Sequence, residues 1–330
     1  MNARSFPLQV LVTAATLSVA SASGRSGTAR ADEPGGAAEA DATLAKYYPA
    51  PVEGPELRLP VSPTRLYVDG SFASTDDLSS LPYIAGSARN VRFAVGGTWR
   101  WWGFAFTGEL PFANVTTLDV TALMNAQPLP EDRHKTSFSL GDLRLGADWT
   151  EHLTDTIVGG FGFRTRFASH TTGFNFQLVD GSTARYAFPY YFHLEPTVIL
   201  GGAFGRVTVV VNQGAVVLVG PDGDFSGFHI TVPTIAFWDA AYAVSYAPLE
   251  MLAASVELST DVQLNHVGGF DFTKFNDVRS VWIAPALQFH LDDYRLDLIA
   301  RFGLTQSADL FGIIEYAGTR SFTARVTRAF

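Results

Sequence analysis

The chain contains no cysteine, which excludes disulfides, thiol catalysis and a lipid-modified N-terminal Cys. Charge is scarce as well: only 17% of the 330 residues are Asp, Glu, Lys or Arg, against about 25% in a typical soluble protein. No basic cluster is present, and a net charge of -9 argues against a nucleic-acid partner. Beyond the N-terminus no run approaches the roughly 20 apolar residues of a transmembrane helix, so a membrane role would have to use strands. The seven His are scattered without the i, i+4 or paired spacing of a zinc site. Neither a metal nor a cofactor is expected.

Rings are abundant, with 13% aromatic residues including 26 Phe. The first residues read as an export signal: Arg4, a short apolar run VLVTAATLSVA over Val10 to Ala20, and Ala29-Arg30-Ala31 as an A-x-A cleavage site before Asp32. Ala20-Ser21-Ala22 is the rival site. Cleavage after Ala31 would remove Arg4, Arg25 and Arg30 and leave a net charge of -12. Residues 32 to 63 are rich in Pro, Ala, Gly and Glu and follow neither structural period. They read as a flexible periplasmic lead-in, or as a plug with Leu44, Tyr47 and Tyr48 as its apolar anchors.

From Thr64 onward a period of two dominates. In LGDLRLGADW, Leu143, Leu145, Ala147 and Trp149 share one parity, and Asp142, Arg144, Gly146 and Asp148 the other. Val256, Leu258, Val262 and Leu264 likewise alternate with Ser255, Glu257, Ser259, Asp261 and Gln263, and Leu296, Leu298, Ala300 and Phe302 with Arg295, Asp297, Arg301 and Gly303. The pattern predicts strands over 65 to 73, 90 to 99, 103 to 112, 138 to 149, 156 to 167, 190 to 202, 206 to 219, 234 to 246, 251 to 264, 279 to 290, 294 to 304 and 320 to 330.

Alternation also fits a soluble sandwich or lipocalin-like barrel, so other features must decide which face is apolar. Most strands reach the about 9 to 11 residues that a tilted bilayer crossing needs. Connections alternate between tight ones, at Arg100 to Trp102, Ala203 to Gly205, Ala247 to Glu250 and Leu291 to Asp293, and long ones over 113 to 137, 168 to 189, 220 to 233 and 265 to 278. Rings gather near strand ends as Trp99, Trp101, Trp102, Phe112, Trp149, Tyr190, Tyr191, Trp238, Tyr246 and Trp282, as in an interfacial girdle. The chain stops at Phe330 after an alternating strand that only Arg328 interrupts, similar to the assembly signal of bacterial outer-membrane barrels. The expected fold is therefore all-β: a closed antiparallel transmembrane barrel of about 12 strands, which leaves no unpaired backbone edge in hydrocarbon.

The polar parity then faces the lumen, and its candidate lining residues are Glu109, Asp142, Arg144, Asp148, Arg164, Arg166, Glu257, Asp261, Arg295, Asp297 and Arg301. Small neighbours Gly146, Gly160, Gly162 and Gly303 would leave space there. Two readings stay open: a passive channel whose charges select small solutes, or a closed structural or adhesive barrel packed by ion pairs, with its function in the outer loops. No enzyme is expected. His170 and Thr172 only approach the His and Ser of outer-membrane phospholipases, Asp222-Gly223-Asp224 reads as a turn, and Gly159-Gly160-Phe161-Gly162 lacks the helix of a phosphate loop.

GDLRLGADW, a turn and the glycine-interleaved TIVGGFGFRTRF together resemble the transporter-like barrels of Proteobacteria, including fatty-acid transporters and the phenol-degradation meta-pathway outer-membrane family. The resemblance implies passage of small, often hydrophobic, molecules across the outer membrane of a Gram-negative bacterium. Those fatty-acid transporters carry more strands than are counted here. The expected partners are outer-membrane lipid, the barrel assembly machinery through Phe330, and an unidentified small solute, with the protein a monomer.

Overall fold

A computed structural model describes residues 58–59, 63–76, 84–124, 127–167, 173–177, 183–187, 192–219, 222–225, 228–231, 234–265, 279–305 and 320–330. The strands are β1 (Arg65–Thr75), β2 (Ile84–Trp101), β3 (Phe104–Met124), β4 (Gln127–Ser139), β5 (Leu143–His152), β6 (Ile157–Phe167), β7 (Gly173–Gln177) and β8 (Thr183–Ala187). They continue with β9 (Phe192–Phe204), β10 (Val207–Val219), β11 (Asp222–Phe225), β12 (Phe228–Thr231), β13 (Ile235–Leu249), β14 (Leu252–Gln263), β15 (Arg279–Leu291), β16 (Tyr294–Gly303) and β17 (Arg320–Ala329).

A 13-stranded antiparallel sheet runs β2-β1-β17-β16-β15-β14-β13-β10-β9-β6-β5-β3-β4, and an additional β2–β3 pairing closes it on itself. Because β4 pairs only with β3 among the described residues, the closed wall has twelve strands and β4 branches from it. First and last strands meet in register, with Arg65 opposite Ala329 and Ser74 opposite Arg320. Phe330 N–H donates to the Thr64 carbonyl at 3.0 Å and seals the seam.

The two parities separate as the alternation predicts, with the apolar set outward. In β1, Leu66, Val68 and Phe72 are exposed while Arg65, Asp69, Ser71 and Thr75 are buried. In β14, Val256 and Leu258 are exposed while Ser255, Glu257, Ser259 and Asp261 are buried. This is the reverse of a water-soluble protein and fits a wall whose outer solvent is hydrocarbon. Apolar clusters on the inside are small, such as Ala284, Ala286 and Ile299, or Val210, Ala241 and Ala243.

Tight turns collect at the end of the barrel that carries Thr64 and Phe330. Trp102 (φ 52°) and Gly103 (φ 81°) join β2 to β3, the left-handed pair that a type I′ hairpin turn requires. Gly205 (φ 64°) and Asp292 (φ 53°) serve the β9–β10 and β15–β16 turns.

The other end departs from the sequence reading. Residues 113 to 137, expected as a loop, extend β3 and form β4, and the expected loops 168 to 189 and 220 to 233 contain the hairpins β7–β8 and β11–β12. Asp222-Gly223-Asp224 is thus strand rather than turn. At about 3.3 Å per residue, the 21 residues of β3 span roughly 70 Å, far beyond a bilayer. Out there neither face must be apolar, so period two fades, and Pro128 and Pro130 are tolerated because β4 is an edge strand. Pro111 has no N–H to donate, and the ladder breaks around it. The β2–β3 register shifts between Phe93 and Ala94, opposite Pro111, and the partner of β3 changes from β5 to β4 across Leu140 to Asp142. Gly141 N–H donates to the Pro111 carbonyl at 2.9 Å and bridges the break.

Most of the ring residues expected at the interface lie outward: Trp99, Trp101, Trp102, Phe112 and Tyr246 are exposed, and Trp99, Trp101 and Phe106 form one aromatic patch beside the first turn. Trp282 is the exception. It shares parity with Ser280 and Ala284, is buried, and lies 4.0 Å beneath the Arg301 guanidinium on the inside. Arg328 on the outer face rests against the rings of Tyr294 and Phe330, at 5.6 and 5.1 Å. Tyr190, Tyr191, Leu44, Tyr47, Tyr48, His170 and Thr172 lie outside the described residues.

Candidate functional site

The interior is a set of ion pairs held by strand register. Glu109 of β3 stands between two cations: Arg92 of β2 bonds its Oε1, and Arg144, directly opposite on β5, lies 3.7 Å from the same oxygen. Its Oε2 accepts a hydrogen bond from the Tyr67 hydroxyl at 2.8 Å. The Tyr67 ring in turn supports Arg325 at 4.5 Å, and Arg325 donates to Asp69, its cross-strand neighbour, at 3.1 Å. Five adjacent strands, β17, β1, β2, β3 and β5, are tied together in this way through one carboxylate and one phenol.

The remaining candidates form smaller units. Arg166 of β6 donates to Asp142 at 2.8 Å. Arg295 bonds Asp297 two residues along β16, at 2.9 Å. Glu257 and Asp261 are buried on β14, and Asp261 faces Asp239 of β13 across the ladder.

Asp148 is bound by a residue that strand periodicity does not reach. Arg58, in the segment before β1, is 1% exposed and donates to Asp148 Oδ1 at 3.1 Å and to the Glu195 carbonyl at 2.7 Å. The Glu195 carboxylate lies 3.7 Å from the same guanidinium, and Asn212 Nδ2 donates to the Arg58 carbonyl at 3.2 Å. Gly162 makes the fit: a Cβ there would overlap the Asp148 carboxylate and come within 2.6 Å of Arg58 Nη1. Arg58 and Leu59 therefore sit inside the barrel, against β5, β6, β9 and β10.

Between these groups the lumen retains a cavity of about 90 Å³, enough to admit water. Of the eleven residues expected from the sequence, Glu109, Arg144, Arg164, Glu257 and Arg301 line it. Asp142, Asp148, Arg166, Asp261, Arg295 and Asp297 are not among its lining residues. Sequence reasoning missed Tyr67, Asp69, Arg92 and Arg325, which also line it. Period two carried their signal, since Tyr67 and Asp69 alternate with Leu66 and Val68, and Arg92 lies between Val91 and Phe93. Arg58 had no such signal. Among the described residues, no group of three or more His, Cys, Asp or Glu is placed to hold a metal ion.

No family model matches the sequence, and no curated protein matches it. The fold is shared with a solved structure. An outer membrane channel from Pseudomonas putida F1 superposes with a TM-score of 0.55 at 12% identity, covering 84% of this chain and 99% of that one. The translocator domain of the autotransporter NalP from Neisseria meningitidis gives 0.49 at 10% identity, over 89% of this chain and 97% of that one. The CymD monoaromatic hydrocarbon channel gives 0.43 at 9% identity, over 82% and 89%.

Proposed function

We propose that this protein is a passive channel for small solutes in the outer membrane of a Gram-negative bacterium. The observation that carries the reading is an inverted barrel whose charged interior still holds a cavity of about 90 Å³ instead of an apolar filling. A twelve-stranded wall is wider than the 8-stranded barrels that side chains fill, and narrower than the 16-stranded porins that leave a broad aqueous channel. Flux through such a lumen is slow and selective, and its polar lining favours polar solutes over the hydrophobic ones that the family resemblance implies. The protein works as a monomer surrounded by lipid, and the assembly machinery recognises its last strand through Phe330.

Liposome swelling tests this directly. Vesicles containing the refolded protein should swell in small polar solutes at a rate that falls steeply with solute size. Folded protein that leaves the vesicles as tight as protein-free controls would contradict the proposal.

A second reading has its own observation: Glu109, Arg92, Arg144 and Tyr67 form a bonded cluster, and Arg58 occupies part of the lumen. A closed structural barrel needs such packing, and it would show no solute entry whatever the solute.

A further inference from the structure

Arg58 is held as a ligand is held. Its hydrogen-bond partners lie 90, 137 and 154 positions away, on β5, β9 and β10, and all three belong to the barrel wall. The guanidinium fork divides between two acceptors, Nη1 donating to Asp148 Oδ1 at 3.1 Å and Nη2 to the Glu195 carbonyl at 2.7 Å. The Glu195 carboxylate adds a second negative charge 3.7 Å away. At the other end of the residue, Asn212 Nδ2 donates to the main-chain carbonyl at 3.2 Å. Binding at both ends reads the length of an arginine as well as its charge.

The wall is shaped for this occupant. Gly162 of β6 stands between Asp148 and Thr197 in the ladder, and any Cβ there would take the space of the Asp148 carboxylate and crowd the guanidinium. Asn212 is fully buried, and its Oδ1 accepts no hydrogen bond among the described residues. That oxygen belongs to the same amide that holds the Arg58 carbonyl. A ligand with an N–H beside its own carbonyl would satisfy it, as an amino acid would. The pocket also adjoins the central cavity, because Glu195 stands opposite Arg164, which lines that cavity.

Resting on the channel reading above for the solute's route into the lumen, we infer that Asp148, Glu195 and Asn212 form a binding site for an arginine-type solute, and that Arg58 fills it as an internal ligand which such a solute displaces. The recognised class is a guanidinium joined to an amino-acid carbonyl. A tethered ligand competes at an effective concentration on the order of millimolar, so displacement begins in that range. Agmatine, which lacks the carbonyl, gives up one neutral hydrogen bond and binds about fivefold more weakly. A lysine analogue loses the fork that spans Asp148 and the Glu195 carbonyl, because an ammonium is a point charge.

Two measurements on the full-length refolded protein test this. The chain has no cysteine, so Leu59→Cys introduces a single thiol beside Arg58, at a position 3% exposed. Its rate of maleimide labelling should rise with N-acetyl-L-arginine amide in the millimolar range and then saturate. N-acetyl-L-lysine amide at the same concentration should leave the rate unmoved. In the second measurement, calorimetry on Arg58→Ala should show one site for the arginine amide, weaker binding of agmatine, and none of either once Asp148→Asn is added. A labelling rate that ignores the arginine amide, or that the lysine amide raises equally, overturns the proposal and leaves Arg58 a structural tether. Absence of binding to folded Arg58→Ala overturns it as well, and should that variant fail to fold, the labelling experiment decides alone. Neither measurement needs conduction, so tight vesicles in the swelling assay would overturn the channel and leave this site standing.

Discussion

Replacing Asp148 by Asn is expected to open the Arg58–Leu59 peptide bond to trypsin. In the intact protein Arg58 and Leu59 are 1% and 3% exposed, so the protease can cut there only when the segment leaves the wall. Its strongest tether is the Arg58–Asp148 pair at 3.1 Å, between side chains 2% and 7% exposed. The Glu195 carbonyl and Asn212 hold the rest. Asn keeps the shape of Asp148 and removes its charge. A charge-assisted hydrogen bond contributes about 1.5–3 kcal/mol, and a loss of about 2 kcal/mol raises the undocked population roughly thirtyfold. When undocking is fast relative to cutting, cleavage follows that population, so the initial rate of cutting after Arg58 should rise by the same factor. A trypsin time course on detergent-folded protein, read by mass spectrometry, gives the rate. The barrel itself should survive, because the backbone of residue 148 still pairs with Ala105 and Gly162, and its unheated gel migration should not change. Equal cleavage rates for Asp148→Asn and the wild type would refute the anchoring of Arg58.

Two further substitutions examine the wall and the cavity. Val256→Arg places a charge at the middle of the exposed face of β14 and should lower the stability of the lipid-folded barrel by about 2–4 kcal/mol in a urea titration; an unchanged midpoint would mean that this face meets water. Glu109→Gln strips the shared carboxylate from Arg92, Arg144 and Tyr67 and should cost about 3 kcal/mol in the same titration.

How far the fold was legible can be argued from individual strands. β14 and β16 were readable because each is bounded by hydrocarbon on one side and a polar lumen on the other, which forces strict alternation. Past Asn114 that constraint ends, and the strand continuation through Pro128 and Pro130 looked like loop. Trp282 was placed at the interface by residue type alone, although its parity with Ser280 and Ala284 puts it inside under Arg301. The charges on the inner parity could be named from sequence, but not the ones that converge. That depends on ring closure, which sets Asp69 opposite Arg325 although they are 256 positions apart. Arg58 was invisible because nothing periodic surrounds it, and its role follows from Gly162 and Asp148 on strands that are distant in sequence.

The central claim is that the polar interior of this barrel conducts. Single-channel recording from the refolded wild type in a planar bilayer is the most direct test. Discrete, uniform conductance steps are expected, with a step size that changes in Glu109→Gln because that carboxylate lines the cavity. A barrel that is demonstrably folded, migrating differently on gels before and after boiling, yet gives no steps at any voltage would contradict the account.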